Sequence, residues 1–308
     1  MSYYLGIDTS NYTTSVAVCN DIAVAENIRI PLQVKDGEKG LRQSDAVFSH
    51  VINLPAAFET LKKYDITAVG YSAYPRDADG SYMPCFLAGE CAARSIASLN
   101  GLPIYKFSHQ AGHIAAAIYS SGADEDQLYS GGFIAFHVSG GTTEVLLAES
   151  GRTIIKLGGT LDLNAGQAID RIGVKLGMKF PCGAELEKEA LKCGEPIKVN
   201  VCVNGLTCNL SGLENKADEL IKSGRDSSYI AMYTLEFIKT TLDKLTANAI
   251  IQCGNLPILY AGGVMSNTII KKHLRVKYNS YFAEPSFSTD NAAGTAILCR
   301  GMYKNESK

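Results

Sequence analysis

The chain has 308 residues, 46% hydrophobic and 19% charged, which suffices for two domains or for one large α/β domain. Its 29 lysines and arginines against 31 aspartates and glutamates give a net charge of −2, which excludes a protein-wide attraction to nucleic acid or anionic membranes. Nine scattered cysteines without a Cys-x-x-Cys pair, no apolar run of membrane-span length and an opening segment unlike a signal peptide predict a cytoplasmic protein with buried, reduced thiols.

The predicted elements of the first half alternate between strand and helix. Strands are predicted over 3–8, 13–19, 68–74 and 103–107, and helices over 45–64, 89–99 and 109–120. The first of these helices carries Val47, Val51 and Leu54 at helical spacing, and Ser108 is the predicted cap of the third. The polar segment over 33–44, which contains two glycines, predicts a loop.

The second half predicts the same kind of alternation. Strands are predicted over 132–138, 142–147 and 256–260, and helices over 164–176, 228–253 and 291–303, the last with Asp290 as N-cap. The run Thr13-Thr14-Ser15-Val16 recurs as Thr142-Thr143-Glu144-Val145, an offset of 129 residues (142 − 13). Two strand–turn–strand units at this spacing indicate a duplicated domain, the alternative being a coincidence between two ordinary hairpins.

Glycine turns follow two of the predicted strands. Ser139-Gly140-Gly141 can direct backbone N–H groups at a phosphate, and Gly262-Gly263 can pass close to an adenine or a ribose. Neither has the spacing of a dinucleotide fingerprint or a P-loop, and each alone is more often a plain tight turn. Together in a duplicated frame they favour an ATP cleft of the actin, hexokinase and Hsp70 type.

Two histidines one helical turn apart predict a metal site. His109 and His113 lie at i and i+4, so both imidazoles can reach one ion, and Asp290 is the candidate third ligand. The alternatives are cap and surface histidines, and an N-cap role alone for Asp290. A zinc protease is disfavoured because Gln110 stands where the H-E-x-x-H motif has its general base.

Two further polar clusters have a structural and a functional interpretation. The first lies at a predicted helix start and would cap it, accept ribose hydroxyls or hold a hydrated cation: Asp162, Asn164, Gln167 and Asp170. The second is basic, and is either a solvated helix face or a patch that positions RNA phosphates: Lys271, Lys272, His273, Arg275 and Lys277.

Six segments in this order resemble the TsaD family, also called Gcp or the M22 glycoproteases. They are His109–His113, Val138–Thr143, Asp162–Arg171, Phe180–Gly183, Ala261–Asn267 and Ser288–Ala293. The resemblance extends from Gly6 to the last helix. It implies a duplicated actin-like α/β fold with a nucleotide cleft between two domains, over 1–107 and 108–290, the second with the metal and nucleotide sites. The helix over 291–308 would return to the first domain.

The same resemblance implies a reaction and a set of site residues. A threonylcarbamoyl group would pass from threonylcarbamoyl-AMP to N6 of the adenosine beside the anticodon in tRNAs that read codons starting with A. The metal, Fe²⁺ or Zn²⁺, would be held by His109, His113 and Asp290. The residues implied for the nucleotide, the ATP-derived ligand, are His137, Val138, Ser139, Gly140, Gly141, Asp170, Gly183 and Asn267. Asp8, which could orient the amine or accept its proton, and Ser139 are the catalytic candidates.

The implied partners are tRNA, a TsaB-like paralogue and a TsaE-like ATPase, with TsaC making the adenylate and no membrane involved. The sequence departs from the family pattern where acidic or polar groups are usual: at Tyr12, Thr13, Thr142, Leu163, Gln167 and Cys182. These departures keep an alternative open, a divergent ATP- and metal-binding paralogue with another acceptor or a scaffold role. A metalloprotease is the third and weakest alternative.

Overall fold

The computed structural model describes residues 1–10, 12–33, 41–149 and 154–306. Most of the loop predicted over 33–44 therefore lies outside the described residues. The chain forms two compact units, Met1–Ser120 with Ser286–Lys308, and Ser121–Pro285. This division falls after residues 120 and 285, whereas the sequence placed domain boundaries after 107 and 290; those boundaries stay a prediction.

The elements follow the predicted alternation, with short strands and helices added. The strands are β1 (Tyr3–Ser10), β2 (Thr13–Asn20), β3 (Val24–Pro31), β4 (Ile66–Tyr74), β5 (Ile104–Ser108), β6 (Phe133–Val138), β7 (Thr143–Ala148), β8 (Ile154–Thr160), β9 (Cys202–Asn204), β10 (Thr207–Asn209), β11 (Ile258–Ala261) and β12 (Ser280–Phe282). The helices are α1 (Gln43–Thr60), α2 (Phe86–Asn100), α3 (His109–Ser121), α4 (Glu125–Gly131), α5 (Ala165–Lys175), α6 (Gly183–Ala190), α7 (Ser211–Lys222), α8 (Ser227–Cys253), α9 (Thr268–Lys277) and α10 (Ala293–Glu306).

The two sheets share one topology, which confirms the duplication. The first sheet has the order β3-β2-β1-β4-β5, and the second repeats it as β8-β7-β6-β11-β12, with β10 and β9 added beyond β8. In each, the first three strands are antiparallel and the fourth and fifth run parallel to the first. Ile7 lies opposite Val16, and Phe136 opposite Val145, so strand register reproduces the offset of 129 residues (136 − 7, 145 − 16).

Residues of β1 alternate between two helical layers, as the period of two in a strand requires. Leu5 and Ile7 pack with α1 and α2 in one core cluster, while Tyr4 packs with α10 in another. Gly6 lies on the α10 face, where a Cβ would come within 2.5 Å of the Ala292 carbonyl oxygen. Asp8, two residues further along, therefore points to the α10 face as well.

Close backbone contact also joins α10 to α3. A Cβ on Gly294 would meet the carbonyl oxygen of Gly112 at 1.8 Å, so only glycine permits this approach. The contact holds the start of α10 against the helix that carries His109 and His113.

The cysteines and the helices agree with the sequence-based exclusions. All nine cysteines are free thiols; those that are buried are Cys19, Cys85, Cys182, Cys208 and Cys299. None of the helices in the described part of the chain has the length and hydropathy that a membrane crossing requires.

Candidate functional site

The first unit brings together the three residues predicted to bind a metal. His109 and His113 lie one turn apart on α3, and Ser108 caps that helix by accepting the Ala111 N–H at 3.1 Å, as predicted. Asp290 comes from the segment before α10, 177 residues away from His113 in sequence. The three side chains offer ligand atoms that all lie within 4.8 Å of one another.

The spacing of these atoms fits one divalent ion. The two Nε2 atoms are 3.0 Å apart, and Asp290 Oδ1 lies 3.1 Å from Nε2 of His113 and 3.4 Å from Nε2 of His109. Ligands about 2.0 Å from a tetrahedral ion are about 3.3 Å from each other. Two imidazoles and one carboxylate suit Zn²⁺ or Fe²⁺ better than Mg²⁺.

Strong electrostatic coupling holds this cluster together. Burial alone lowers the pKa of His109, but the carboxylates of Asp8 and Asp290 outweigh burial and raise it to about 10. Burial likewise opposes ionisation of Asp290, yet hydrogen bonds from both histidines hold the pKa of this carboxyl well below its usual range. The Asp290 carboxylate is thus ionised at neutral pH, and a metal ion would take the place of a proton on the imidazoles.

Asp290 is not the N-cap of the last helix, so that prediction was wrong. The helix begins at Ala293, whose N–H is accepted at 3.1 Å by the side-chain oxygen of Asn291. Because Asn291 caps the helix end, the carboxylate of Asp290 remains directed at the two histidines. Arg29 holds the preceding residue by donating to the Thr289 hydroxyl at 2.6 Å.

Asp8 lies directly behind His109 and is almost fully buried, with 1% of its surface exposed. Its Oδ2 accepts from Nδ1 of His109 at 2.7 Å and from the Ser72 hydroxyl at 2.5 Å, and its Oδ1 accepts from the Ser10 N–H at 2.9 Å. Burial raises the pKa of Asp8, but the neighbouring His109 and these hydrogen bonds lower it further than burial raises it.

The second unit contains the predicted phosphate turn. The Ser139 hydroxyl accepts the N–H groups of Gly141 and Thr142 at 3.3 and 3.1 Å, so it is occupied within its own turn. Within the described residues, the Gly140 N–H donates to no protein acceptor. A Cβ on Gly140 or Gly141 would meet no atom within 4 Å, so packing of the chain does not require glycine at either position.

The end of α5 packs directly on this turn. The Ser139 carbonyl accepts the Gly166 N–H at 3.1 Å, and a Cβ on Gly166 would come within 2.6 Å of the Gly140 nitrogen. The turn at Gly262 approaches from the neighbouring strand, because a Cβ there would meet the Val138 carbonyl oxygen at 2.3 Å. The structure thus places the two glycine turns and the α5 N-terminus at the ends of β6 and β11.

The remaining predicted nucleotide residues also lie in the second unit. His137 is 8% exposed and Val138 is fully buried, so Val138 can offer only its backbone. Asp170 accepts the Cys182 N–H at 2.8 Å next to Gly183, the first residue of α6. Burial raises the pKa of the Asp170 carboxyl. Asn267 caps α9 by accepting the Ile270 N–H at 3.1 Å.

Much of the cluster at the start of α5 has a structural role. Asp162 accepts the N–H groups of Leu163, Leu210 and Ser211 and the Ser211 hydroxyl, and these bonds lower its pKa although burial opposes them. Asn164 and Gln167 form the capping box of α5. Asp170 is the one member of the predicted cluster whose carboxylate is not committed to these caps.

The comparison with known families uses the same segments. The profile described as "TsaD: tRNA N6-adenosine threonylcarbamoyltransferase" matches residues 46–297. The chain belongs to this family.

Relatives of the TsaD family match nearly the whole chain. The tRNA N6-adenosine threonylcarbamoyltransferase of Thermococcus gammatolerans is 28% identical, over 97% of this chain and 91% of its own length. A probable bifunctional tRNA threonylcarbamoyladenosine biosynthesis protein of Thermoplasma acidophilum is also 28% identical, over 98% of this chain. The chain spans 56% of the length of that bifunctional relative.

Solved structures show that this TsaD family member has the predicted actin-like fold. HypF of T. kodakarensis superposes with a TM-score of 0.63 and 14% identity, over 99% of this chain and 48% of its own. A ROK family glucokinase from Streptomyces griseus, in complex with glucose and AMPPNP, superposes with a TM-score of 0.55 and 12% identity, over 97% of this chain and 100% of its own.

Two polar residues of this centre were not found from the sequence. The hydroxyl of Ser72, on β4, lies 3.2 Å from the hydroxyl of Thr295, on α10, and also donates to Asp8. Both residues are fully buried. Neither lies in a recognisable motif, and only a polar residue in an otherwise apolar strand, Ser72 within Ala68–Tyr74, could have indicated them.

Proposed function

We propose that this protein transfers the threonylcarbamoyl group of threonylcarbamoyl-AMP to N6 of the adenosine beside the anticodon in tRNAs that read codons starting with A. One observation carries the proposal: His109, His113 and Asp290 form an intact metal-binding triad. An inert relative would have no reason to keep three ligands that converge from distant segments. Membership of the TsaD family supports the same activity.

The chemistry is acyl transfer from a mixed anhydride to an aromatic amine. AMP is already a good leaving group, so no covalent enzyme intermediate is required. A divalent ion held by the triad, with positions left open, would act as a Lewis acid toward the donor and as a template for it. In the second unit the exposed Gly140 N–H and the N-terminus of α5 would hold the adenylate phosphate.

The structure limits what the two catalytic candidates can do in this reaction. The Ser139 hydroxyl is held by two N–H groups of its own turn, so we assign it to shaping that turn and not to attacking the donor. The acyl transfer is then achieved by placing donor and amine together, for which correct orientation alone supplies a large part of the rate.

Genetic complementation tests the proposal. We expect the wild-type chain, expressed in a strain that lacks its own TsaD, to restore threonylcarbamoyladenosine in bulk tRNA, as measured by mass spectrometry of nucleosides. The TsaB-like and TsaE-like proteins of the same source are co-expressed, because the resemblance implies that they take part. The His113→Ala variant is the matched control, and it should restore none.

A different result would favour the second candidate function. If the wild-type chain restores no modified nucleoside but binds metal and adenine nucleotide, then it is a divergent paralogue with another acceptor. The specific observation behind this candidate is Gln167, which stands where the family usually has Glu and is used in the capping box of α5.

The basic stretch on α9 leads to a prediction about tRNA. Lys277 is already paired with Asp243 at 2.7 Å, and Lys271 lies 5.6 Å from the centre of the Phe282 ring, whereas Arg275 is exposed. We expect the double variant Lys271→Glu, Arg275→Glu to weaken tRNA binding. Its salt dependence should be shallower by about one unit of slope for each lost phosphate contact. Filter binding of the assembled complex over a series of salt concentrations measures both quantities.

A variant of equal charge change controls for net charge. Lys62→Glu, Lys63→Glu alters two exposed lysines of the first unit and should leave the tRNA affinity near that of wild type. Equal weakening in both double variants would mean that net charge, not a patch on α9, governs the binding.

A further inference from the structure

We propose that Asp8 is a positioning residue that fixes the orientation of His109, and that Ser72 holds Asp8 for this task. The inference rests on the metal centre of the proposed function and assigns Asp8 a role other than contact with the amine. It concerns hydrogen bonds that are complete within the first unit.

The first argument is that the carboxylate of Asp8 has no free direction. Its oxygens accept from the His109 ring, the Ser72 hydroxyl and the Ser10 N–H, and the residue is 1% exposed. A substrate amine would have to displace one of these three donors. A buried carboxylate with this set of partners acts through them.

The second argument concerns the two nitrogens of the His109 ring. Nδ1 is 2.7 Å from the carboxylate of Asp8, and Nε2 faces His113 and Asp290. A proton shared with Asp8 on Nδ1 leaves the lone pair of Nε2 for a metal ion and stops the ring from turning over. Hydrogen bonds of this kind orient metal-binding histidines, and their loss weakens metal affinity about 10–100-fold.

The third argument comes from the duplicated frame. By the offset of 129 residues, Asp8 corresponds to His137, and strand register places Ser72 and Ala261 beside these two positions. The unit with the metal triad has the buried pair Asp8 and Ser72, and the other unit has His137 and Ala261 at the same places. The pair is therefore not a requirement of the strands themselves but accompanies the triad.

Metal affinity of the full-length chain tests the proposal. The metal-free protein is titrated with Zn²⁺ in competition with a chromogenic chelator of known affinity. We expect Asp8→Ala to weaken Zn²⁺ binding about 10–100-fold, Asp8→Asn to weaken it less because an acceptor remains, and Ser72→Ala to weaken it severalfold. Asp8→Ala with wild-type affinity would overturn the proposal.

The control is Asp21→Ala. Asp21 is another hydrogen-bonded carboxylate of the first unit, bound to Tyr4 and Lys304 at the opposite end of β1 and β2. Its loss should lower the thermal midpoint without changing Zn²⁺ affinity. If Asp21→Ala weakens Zn²⁺ binding as much as Asp8→Ala, general destabilisation explains both, and the assignment of Asp8 is wrong.

A second measurement does not depend on the metal. With ¹⁵N-labelled histidine, the Nδ1 proton of His109 should give a slowly exchanging, low-field resonance in the metal-free wild type that is lost in both Asp8→Ala and His109→Ala. Its absence from the wild type would overturn the proposal. Its presence in a wild-type protein that binds no Zn²⁺ would support the role of Asp8 and contradict the proposed metal centre instead.

Discussion

The His113→Ala variant is expected to lose the metal. Purified wild-type protein should contain about one divalent ion per chain, as iron or zinc, because three protein ligands converge on one point. Removing His113 leaves one imidazole and one carboxylate, and two ligands do not retain an ion through purification. Elemental analysis by plasma mass spectrometry measures the ratio of metal to protein for both chains.

A histidine outside the triad provides the control. His273→Ala removes a half-exposed imidazole from α9, 3.6 Å from Asp243, and should leave the metal content unchanged. Circular dichroism of both variants establishes that the fold persists. If His113→Ala keeps as much metal as wild type, the triad does not bind the ion, and the proposed function loses the observation on which it stands.

The Gly140→Val variant is expected to abolish binding of adenine nucleotides while the fold remains. A side chain at this position meets no atom of the protein within 4 Å, so it costs the fold little. The same side chain would occupy the space beside the Gly140 N–H that a phosphate must enter. Charge-assisted hydrogen bonds contribute about 1.5–3 kcal/mol each, so with the added clash we expect the dissociation constant for ATP to rise at least about 100-fold.

Calorimetry with ATP measures the affinity, and Gly194→Val is the matched control. Gly194 lies in the same unit, beyond α6, and its Cβ would likewise meet open space. We expect Gly194→Val to bind ATP as wild type does. Unchanged affinity in Gly140→Val would show that the glycine turn is only structural and that the adenylate is held elsewhere.

The spacing of β-branched and apolar residues predicted most strands and long helices, but not which side of a helix is buried. On α1 the helical spacing included Val51, yet Val51 is 57% exposed, and the buried positions include His50 and Leu54. The imidazole of His50 lies 2.8 Å from the Thr14 hydroxyl and is fully buried. Hydropathy cannot identify a polar residue that is buried because it has found a hydrogen-bond partner in another element.

The sequence by itself determined the features that depend on local geometry. The 3.6-residue repeat of a helix places His109 and His113 on one face, the serine before them caps that helix, and the repeated run at an offset of 129 residues sets the duplicated sheets. Each of these follows from backbone periods that any chain with these residues obeys.

Only the tertiary structure decided what these groups meet. Asp290 reaches the histidines across 177 residues, and Asp8 reaches His109 across 101, because strand register and the close contact of Gly112 with Gly294 bring their segments together. The same packing made Asn291, not Asp290, the cap of the last helix. Such long-range contacts depend on how buried surfaces fit together, and the spacing of residues along the chain does not specify that fit.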